Sequence, residues 1–374
     1  MFNINKKDFK KIDFTLILIV LALTIIGMLV LNSAISPSGD NIKSQLVSTI
    51  IGFACFIFIY FIDFDIFKKL KWLIYLIIIA MLAYTMFFGV GGAQWGANSW
   101  IRVGPVTVQP SEFVKVLLVI FLAAFINDHK KDINSFSFII KFGILALIPI
   151  AFILRQPDLG TAMVILFMVA MMFFMSGMRL KNILVIVAIL LAIVIILVVV
   201  ALPLVWDRLR PYQQDRILNF VNPERDVLDS GLQMDRGYTA IGSGQFTGRG
   251  YQQGPMSQNN YIPEQHTDYI FPVLVEEFGF IGGIIVIALY FLMILRMLFI
   301  ANKASDAFQT TLVIGLAAMF FIHIFENVGM TMRLMPVTGI PLPFFSNGGT
   351  FQIVNLMSIG LILAAGAHRK PLDF

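Results

Sequence analysis

The sequence has few charged residues and a single cysteine. Asp, Glu, Lys and Arg make up 13% of its 374 residues, against about 25% in a soluble globular domain. The lone Cys55 excludes an internal disulfide and gives no clue to the compartment. The net charge of +5 comes from scattered positive residues, which argues against nucleic-acid binding. The chain also lacks low-complexity tracts, solenoid repeats, and P-loop or dinucleotide-binding fingerprints.

Apolar residues dominate instead. They make up 58% of the chain, and the mean hydropathy is +0.86. Runs of about 20 apolar residues recur, each long enough to cross a bilayer core. They predict an all-α polytopic membrane protein, a single integral membrane domain over residues 1–374, with about ten spans. The predicted spans are 14–33, 43–62, 72–90, 110–127, 136–154, 160–176, 182–205, 269–299, 307–328 and 348–367. The first is too long for a signal peptide and lacks a convincing cleavage site, so we expect a retained anchor.

Lysine and arginine in short connections predict the orientation. They recur at both termini and after every second span, and such residues mark the cytoplasmic side. The positions are Lys6, Lys7, Lys10, Lys11, Lys68, Lys69, Lys71, Lys130, Lys131, Arg179, Lys181, Arg296, Lys303, Arg369 and Lys370. Both termini are therefore predicted to be cytoplasmic. Residues 206–268 are predicted to form a large extracytoplasmic loop between the seventh and eighth spans.

The predicted outer side is rich in arginine, which binds phosphate bidentately better than lysine does. The positions are Arg102, Arg155, Arg208, Arg210, Arg216, Arg225, Arg236, Arg249 and Arg333. For most of residues 208–236 a solvated loop of mixed charge is the simpler interpretation. The loop's length nevertheless indicates function, because passive connections of this size are uncommon.

The first candidate motif runs from Gln109 to Lys115 and opens the fourth span. Pro110 suits the first turn of a helix, and Glu112 complements the helix dipole there. Glu112 and Lys115 are three residues apart, so they share a helix face and can pair. The pair is either a structural ion pair joining two helices or one wall of a polar cavity that includes Ser111.

The second motif, Arg155-Gln156-Pro157-Asp158-Leu159-Gly160-Thr161, opens the sixth span in the same way. A proline start is followed by an acid in the first turn. Two helices presenting acids at one predicted depth favour a shared site, although Asp158 by itself is equally well explained as a helix cap.

The third motif is Glu264-Gln265-His266-Thr267-Asp268, directly before the eighth span. Three groups capable of acid–base chemistry lie within five residues at the predicted membrane edge, where ionisable groups are usually functional. Thr267 or Asp268 could instead cap the helix. The spacing matches no structural zinc pattern, so we expect no tight transition-metal site.

The fourth motif spans residues 336–349 and contains three prolines, three glycines and Ser346. This composition forbids a regular helix, yet the stretch is apolar enough to enter the membrane. Non-helical backbone at that depth must be buried in protein or line a cavity. We therefore expect a re-entrant or surface-lying outer loop, with a plain connector as the alternative.

These four motifs, together with Asn98-Ser99-Trp100-Ile101, resemble in content and order the SEDS family (shape, elongation, division and sporulation). The match covers almost the whole chain, and the second and third motifs look most like the rod-shape branch. One departure is Asn347, where the family pattern has a tyrosine.

The resemblance implies the SEDS fold and a peptidoglycan glycosyltransferase of the bacterial cytoplasmic membrane that polymerises lipid II into glycan strands on its outer face. It implies lipid II and lipid-linked glycan as substrates, a class B penicillin-binding protein as transpeptidase partner, the elongation machinery and membrane lipids. It makes Asp268 essential, Trp100 important, and the Glu112–Lys115 pair part of the cavity wall. The expected substrate-binding residues are Glu112, Lys115, Trp100, Arg102, Ser111, Arg155, Gln156, Asp158, Arg249, Glu264, His266, Thr267 and Ser346.

The expected chemistry needs one base, because the attacking sugar hydroxyl is a poor nucleophile, and Asp268 is the candidate. Pyrophosphate can leave without an acid if Lys115 or the arginines, with or without a divalent cation such as Mg or Mn, stabilise its charge. Open alternatives are a lipid II flippase, a polymerase or ligase of other undecaprenyl-linked sugars, a division or sporulation paralogue, and a scaffold.

Overall fold

The computed structural model describes residues 12–35, 40–91, 99–104, 106–156, 158–186, 188, 214 and 230–367. The helices of these regions are α1 (Phe14–Ala34), α2 (Asp40–Tyr60), α3 (Phe64–Lys69), α4 (Lys71–Phe88), α5 (Pro110–Asp128), α6 (Phe136–Arg155), α7 (Leu159–Phe174), α8 (Ser230–Ser243), α9 (Pro255–Gln258), α10 (Ile270–Lys303), α11 (Ala307–Thr331) and α12 (Gly349–Ala367). Strands β1 (Ile101–Val103) and β2 (Val106–Val108) form an antiparallel pair.

The predicted all-α membrane architecture is confirmed. Within the described regions, eight helices are long and apolar enough to cross a membrane, and each matches a predicted span. Helix α7 matches the predicted sixth span but has only 16 residues. Most of the predicted seventh span, 182–205, lies outside the described residues. The described part of the predicted loop 206–268 contains the helices α8 and α9.

Three helices form the centre of the bundle. Within the apolar windows of α5, α11 and α12, 83%, 78% and 89% of the residues are buried, against 22–44% for the other spanning helices. The outer helices therefore present apolar side chains to lipid. The central helices are surrounded by protein, so they can carry the polar residues described below.

Helix α10 is broken near its start. Gly279 has φ +69° and ψ −171°, which lies outside helical geometry. The backbone N–H groups of Arg249 and Gly250 donate to the carbonyls of Glu276 and Glu277, at 2.9 and 3.0 Å. On the other side of the break, Phe280 and Ile281 donate to two carbonyls of residues 245–246. The break thus keeps its backbone hydrogen bonds, as an apolar environment requires.

Side chains add to this attachment. The Glu276 carboxylate accepts hydrogen bonds from the backbone N–H groups of Met256 and Ser257, at 2.7 and 2.9 Å. The Glu277 carboxylate accepts a short hydrogen bond from the Ser33 hydroxyl of α1. We call residues 244–258 the docked segment, because α10 and α1 hold it in place.

Residues 336–348, which we call the re-entrant loop, are non-helical and enter the bundle. Phe344 and Phe345 are fully buried. The Tyr290 hydroxyl of α10 donates to the Pro343 carbonyl at 2.5 Å. A side-chain carbon at Gly27 of α1 would lie 2.2 Å from the Phe344 carbonyl oxygen, so only glycine allows this approach. Of the three arrangements considered from sequence (re-entrant, surface-lying or a plain connector), the buried loop fits the re-entrant one.

Candidate functional site

The Glu112–Lys115 pair lies in the centre of the bundle. Helix α5 begins at Pro110, as predicted, and Lys115 Nζ lies 2.9 Å from Glu112 Oε1. The predicted pairing on one helix face is confirmed. Lys115 Nζ also lies 2.8 Å from Nε2 of His323 on α11. An ammonium only donates, so Nε2 accepts and the imidazole is neutral. The lysine therefore joins two central helices through a charged contact.

Several polar atoms around this pair have no hydrogen-bond partner among the residues that the structure describes. Glu326 of α11 is fully buried, and neither of its carboxylate oxygens has a hydrogen-bond partner. Glu112 Oε2 and the Ser111 hydroxyl are likewise buried without a hydrogen-bond partner in the described regions. Buried polar groups are normally hydrogen-bonded, so a cluster of exceptions indicates a place that binds water or a polar ligand. The candidate site therefore extends beyond a closed structural ion pair.

Asp158 lies at the same site. Its carboxylate accepts a hydrogen bond from the Thr161 backbone N–H at 3.0 Å, which makes it the N-cap of α7. From the sequence, this acid was predicted to lie in the first turn of the helix. The helix begins at Leu159, so Asp158 lies one position before the first turn. The charge of Asp158 acts on both Glu112 and Glu326. Helix capping and a place in the ionisable cluster thus coexist.

Asp268 precedes α10 but does not cap it. The N-cap residue is Tyr269, and no side chain completes the cap, so the expectation that Thr267 or Asp268 does so is wrong. The Thr267 hydroxyl donates instead to Glu264 Oε2 at 2.9 Å. The Asp268 carboxylate faces the re-entrant loop, and a side-chain carbon at Gly339 would lie 3.3 Å from its Oδ2.

The surroundings of Asp268 favour its protonated form. Loss of hydration, and to a smaller extent repulsion by Glu264, raise the pKa of Asp268 to about 7. A carboxylate with a pKa near the working pH is ionised in a substantial fraction of molecules, and it is also basic enough to accept a proton from the substrate. Its electrostatics therefore suit a general base.

The re-entrant loop holds the string before Asp268 in place. The Ser346 hydroxyl donates to the Thr267 carbonyl at 2.5 Å and accepts from the Leu342 N–H at 2.8 Å. The Asn347 backbone N–H donates to the His266 carbonyl at 2.8 Å. Ser346 is buried, and its hydroxyl holds the string through these two hydrogen bonds; its predicted contact with substrate stays a prediction. Asn347 makes this contact through its backbone, so the contact does not depend on whether position 347 carries asparagine or tyrosine.

Trp100 and Gln156 lie in the framework next to the site. Trp100 is half-buried, and its backbone pairs with Val90. The side chain of the buried Gln156 donates from Nε2 to the Leu82 carbonyl at 3.2 Å. The backbone carbonyl of Gln156 accepts a hydrogen bond from the Ser99 hydroxyl at 3.4 Å. Gln156 therefore joins α4 to the residues preceding β1.

The three arginines expected to bind phosphate are exposed: Arg102, Arg155 and Arg249. They are free to meet a ligand arriving from solvent, but the structure does not bring them into the buried cluster. In the described regions, no three His, Cys, Asp or Glu side chains are arranged to hold a metal ion. No residue is therefore assigned to the divalent cation, which stays a prediction.

Three buried residues of α11 escaped the list of expected site residues: His323, Glu326 and Asn327. The outer end of the predicted ninth span had already made Glu326 and Asn327 candidates for the outer cavity, since polar and ionisable residues inside an apolar run are usually functional. The sequence offered no signal for their partners. Lys115 and His323 are 208 positions apart, and only the packing of α5 against α11 brings them together.

The fold and this site define an all-helical, multi-pass membrane protein with a buried ionisable cluster next to a re-entrant loop. The family described as "Cell cycle protein", which groups FtsW, RodA and SpoVE, matches residues 14–371. The chain belongs to this family, as the motifs predicted.

Relatives cover nearly the whole chain. It is 33% identical over 378 residues to the peptidoglycan glycosyltransferase MrdB of Escherichia coli (strain K12), covering 99% of this chain and 98% of MrdB. It is 34% identical over 368 residues to stage V sporulation protein E of Bacillus subtilis (strain 168), covering 96% and 98%. It is 32% identical over 432 residues to the peptidoglycan glycosyltransferase RodA of Treponema pallidum (strain Nichols), covering 96% and 98%.

Solved structures share the fold. One, described as "Structural coordination of polymerization and crosslinking by a peptidoglycan synthase complex", matches with a TM-score of 0.82 at 28% identity, covering 95% of this chain and 97% of that one. The crystal structure of the Thermus thermophilus rod shape determining protein RodA matches with a TM-score of 0.68 at 24% identity, covering 96% and 98%. At that identity the second likeness concerns the fold alone.

Proposed function

We propose that this protein is a peptidoglycan glycosyltransferase that polymerises lipid II during cell elongation, at the outer face of the bacterial cytoplasmic membrane. The observation that carries the proposal is the environment of Asp268. Its carboxylate has a pKa near 7 and lies against the re-entrant loop, in a bundle whose centre holds the Lys115 cluster. Relatives named as peptidoglycan glycosyltransferases support the activity. The elongation role rests on the resemblance of the second and third sequence motifs to the rod-shape branch.

In the proposed reaction, the 4-hydroxyl oxygen of one substrate sugar attacks the anomeric carbon of the lipid-linked glycan. A new C–O bond forms as the bond from that carbon to the pyrophosphate oxygen breaks, with inversion. Asp268 accepts the hydroxyl proton. The leaving undecaprenyl pyrophosphate carries the displaced electron pair, so it needs positive charge nearby. Lys115 supplies it from the bundle, and the exposed Arg102, Arg155 and Arg249 supply it from the side that faces solvent.

A class B penicillin-binding protein is the proposed partner, because newly made strands must be cross-linked. The support is a structural relative described as a peptidoglycan synthase complex that coordinates polymerisation and crosslinking. Adding the purified transpeptidase to the polymerase should raise the rate of strand synthesis.

The test of the activity is polymerisation of purified lipid II by the protein in liposomes, with the cognate transpeptidase, and with and without Mg²⁺ or Mn²⁺. Asp268→Asn keeps the shape of the side chain but removes the base. We expect polymerisation to fall about 10²–10⁴-fold, the usual contribution of general base catalysis. A folded Asp268→Asn protein that polymerises at the normal rate would refute the assignment.

One observation favours a second function, the transport of lipid II across the membrane. Broken helices are typical of secondary transporters, and α10 is broken at Gly279. Here, however, the docked segment of the same chain occupies the break. Measuring movement of fluorescent lipid II across the same liposomes separates the two functions, because a flippase would move lipid without making glycan strands.

A further inference from the structure

Asn327 connects the two elements that meet at Asp268. It lies on α11 and is fully buried. Its side-chain Nδ2 donates to the Asp268 carbonyl at 2.9 Å and to the Ile340 carbonyl of the re-entrant loop at 2.7 Å. An amide nitrogen has two hydrogens, so both are used. One side chain therefore sets the distance between the string before α10 and the loop.

The sequence leaves the Asp268 carbonyl in need of such a donor. Four residues further on stands Pro272, which has no N–H, so α10 cannot extend back to include Asp268. The helix indeed begins at Ile270. A carbonyl at the entrance of a buried helix needs a partner, and Asn327 provides it.

The second hydrogen bond acts on the backbone next to the carboxylate. Ile340 follows Gly339, which has φ +72° and approaches Asp268 Oδ2. The same stretch contacts α7, since a side-chain carbon at Gly160 would lie 2.8 Å from the Thr338 carbonyl oxygen. The position of the Ile340 carbonyl therefore decides which backbone atoms surround the carboxylate and how much water reaches it.

We propose that Asn327 is a positioning residue for the reaction, which orients the Asp268 carboxylate by tying its backbone to the re-entrant loop. The inference rests on the proposed function, because it requires Asp268 to be the base. Asn327 itself touches no reacting atom in this account. It acts through two carbonyl groups, so its loss should affect turnover more than substrate affinity.

The test compares Asn327→Ala with a matched control on the same helix, Gln309→Ala. Gln309 is also a buried amide, and its Oε1 accepts hydrogen bonds from the backbone N–H and hydroxyl of Ser305, at 3.2 and 2.7 Å. It lies at the opposite end of α11. Both variants lose two hydrogen bonds and comparable packing, but only one of them loses contact with Asp268.

We measure lipid II polymerisation as kcat and KM over a range of pH, and thermal stability in detergent. For Asn327→Ala we expect kcat to fall about tenfold or more with KM within about twofold, the pattern of an interaction that matters in the transition state. The acidic limb of the profile should move to lower pH as Asp268 gains water. Glu264, whose charge acts on Asp268, is unchanged in this variant, and so is Tyr269, on which the charge of Asp268 acts. Gln309→Ala should lose stability but keep kcat and the acidic limb.

Three outcomes decide the matter. If Asn327→Ala matches Gln309→Ala in kcat and in pH profile, the positioning role is wrong. If Asn327→Ala does not fold, Asn327→Leu, which has a similar size but no donor and no charge, is measured in the same way, and failure of both variants to fold assigns the residue a purely structural role. If Asp268→Asn, measured alongside, retains full activity, the proposed function itself fails. An inactive Asp268→Asn with a normal Asn327→Ala overturns this inference alone.

Discussion

At the scale of single residues, the two acids closest to the proposed chemistry have different surroundings. Glu112 is charge-paired with Lys115 at 2.9 Å. Among the residues that the structure describes, no cation acts on Asp268, and the negative Glu264 lies nearby. Two carboxyl groups whose environments differ in this way take different roles. Glu112 is suited to fixing the charge of the cluster, and Asp268 to exchanging a proton.

The shifted pKa of Asp268 predicts the pH dependence of polymerisation. The base must be ionised, so the rate should rise with pH and level off above about pH 7, following the pKa of Asp268. Glu264→Gln removes the repulsion that favours protonation, so the acidic limb should move to lower pH. As a control, Asp235→Asn removes an exposed acid that pairs with Arg333, and should leave the limb in place. An unmoved limb in Glu264→Gln would contradict the electrostatic account.

The same shift predicts how stability depends on pH. Between the ordinary pKa of an aspartate, about 4, and the folded value, about 7, the folded state binds more protons at Asp268 than the unfolded state. The contribution of Asp268 to the free energy of unfolding therefore falls as pH rises through this window. Thermal melts of the wild type and Asp268→Asn across this range should differ in slope accordingly. Parallel curves would mean that Asp268 is not desolvated.

At the scale of elements, the break in α10 depends on glycine. Gly279 needs its positive φ, and a side-chain carbon there would lie 2.3 Å from the backbone nitrogen of Gly248. The docked segment approaches the helix equally closely at Gly244 and Gly248. Because these contacts join backbone to backbone, no side chain can move aside to make room for an added carbon. The docked segment and α10 therefore form one structural unit.

Gly279→Ala should consequently release the docked segment. We expect a lower melting temperature and faster proteolytic cleavage within residues 244–258. The added carbon would break the backbone hydrogen bonds between the docked segment and α10 on either side of Gly279. Gly242→Ala is the matched control: it lies nearby in α8, and its added carbon would meet nothing within 4 Å. That substitution should be neutral or slightly stabilising. Equal protease sensitivity of the two variants would show that the break does not depend on Gly279.

At the scale of the whole molecule, the polar cluster lies among three central helices that the remaining helices screen from lipid. Burying ionisable groups within a membrane costs free energy, so buried groups of this kind usually belong to functional sites. The proposed chemistry further requires that the end of the bundle carrying Asp268 face away from the cytoplasm. The distribution of lysine and arginine predicts this orientation.

Cysteine labelling checks the orientation directly. Cys55 is the chain's only cysteine, so Cys55→Ser supplies a background without thiols. In that background, Tyr261→Cys and Lys130→Cys place single exposed thiols at the predicted outer and inner sides. A membrane-impermeant maleimide added to intact cells should label the first alone. Lysed cells should show both labelled, and the reverse pattern in intact cells would invert the topology.

Apolar runs were enough to predict nine helices of the described regions to within a few residues, because each run must hydrogen-bond its own backbone in lipid. The Glu112–Lys115 contact was also predictable, because three-residue spacing on one helix fixes it. The capping of α10 was not, since Pro272 and the loop contacts of Thr267 moved the helix start past both candidates. The break at Gly279 was not predicted either, because the predicted eighth span, 269–299, ran straight through it.

Sequence alone therefore determined the class of protein and its family motifs, which depend on local spacing and composition. The resemblance to the family then singled out Asp268 as the proposed base among three acid–base groups. The tertiary structure decided what surrounds that base. Asn327 is 59 positions from Asp268, and it reaches that residue only because α11 packs beside the start of α10. Lys115 likewise meets His323 through the packing of central helices. Contacts between residues far apart in the chain follow from how buried faces fit together, which periodicity does not specify.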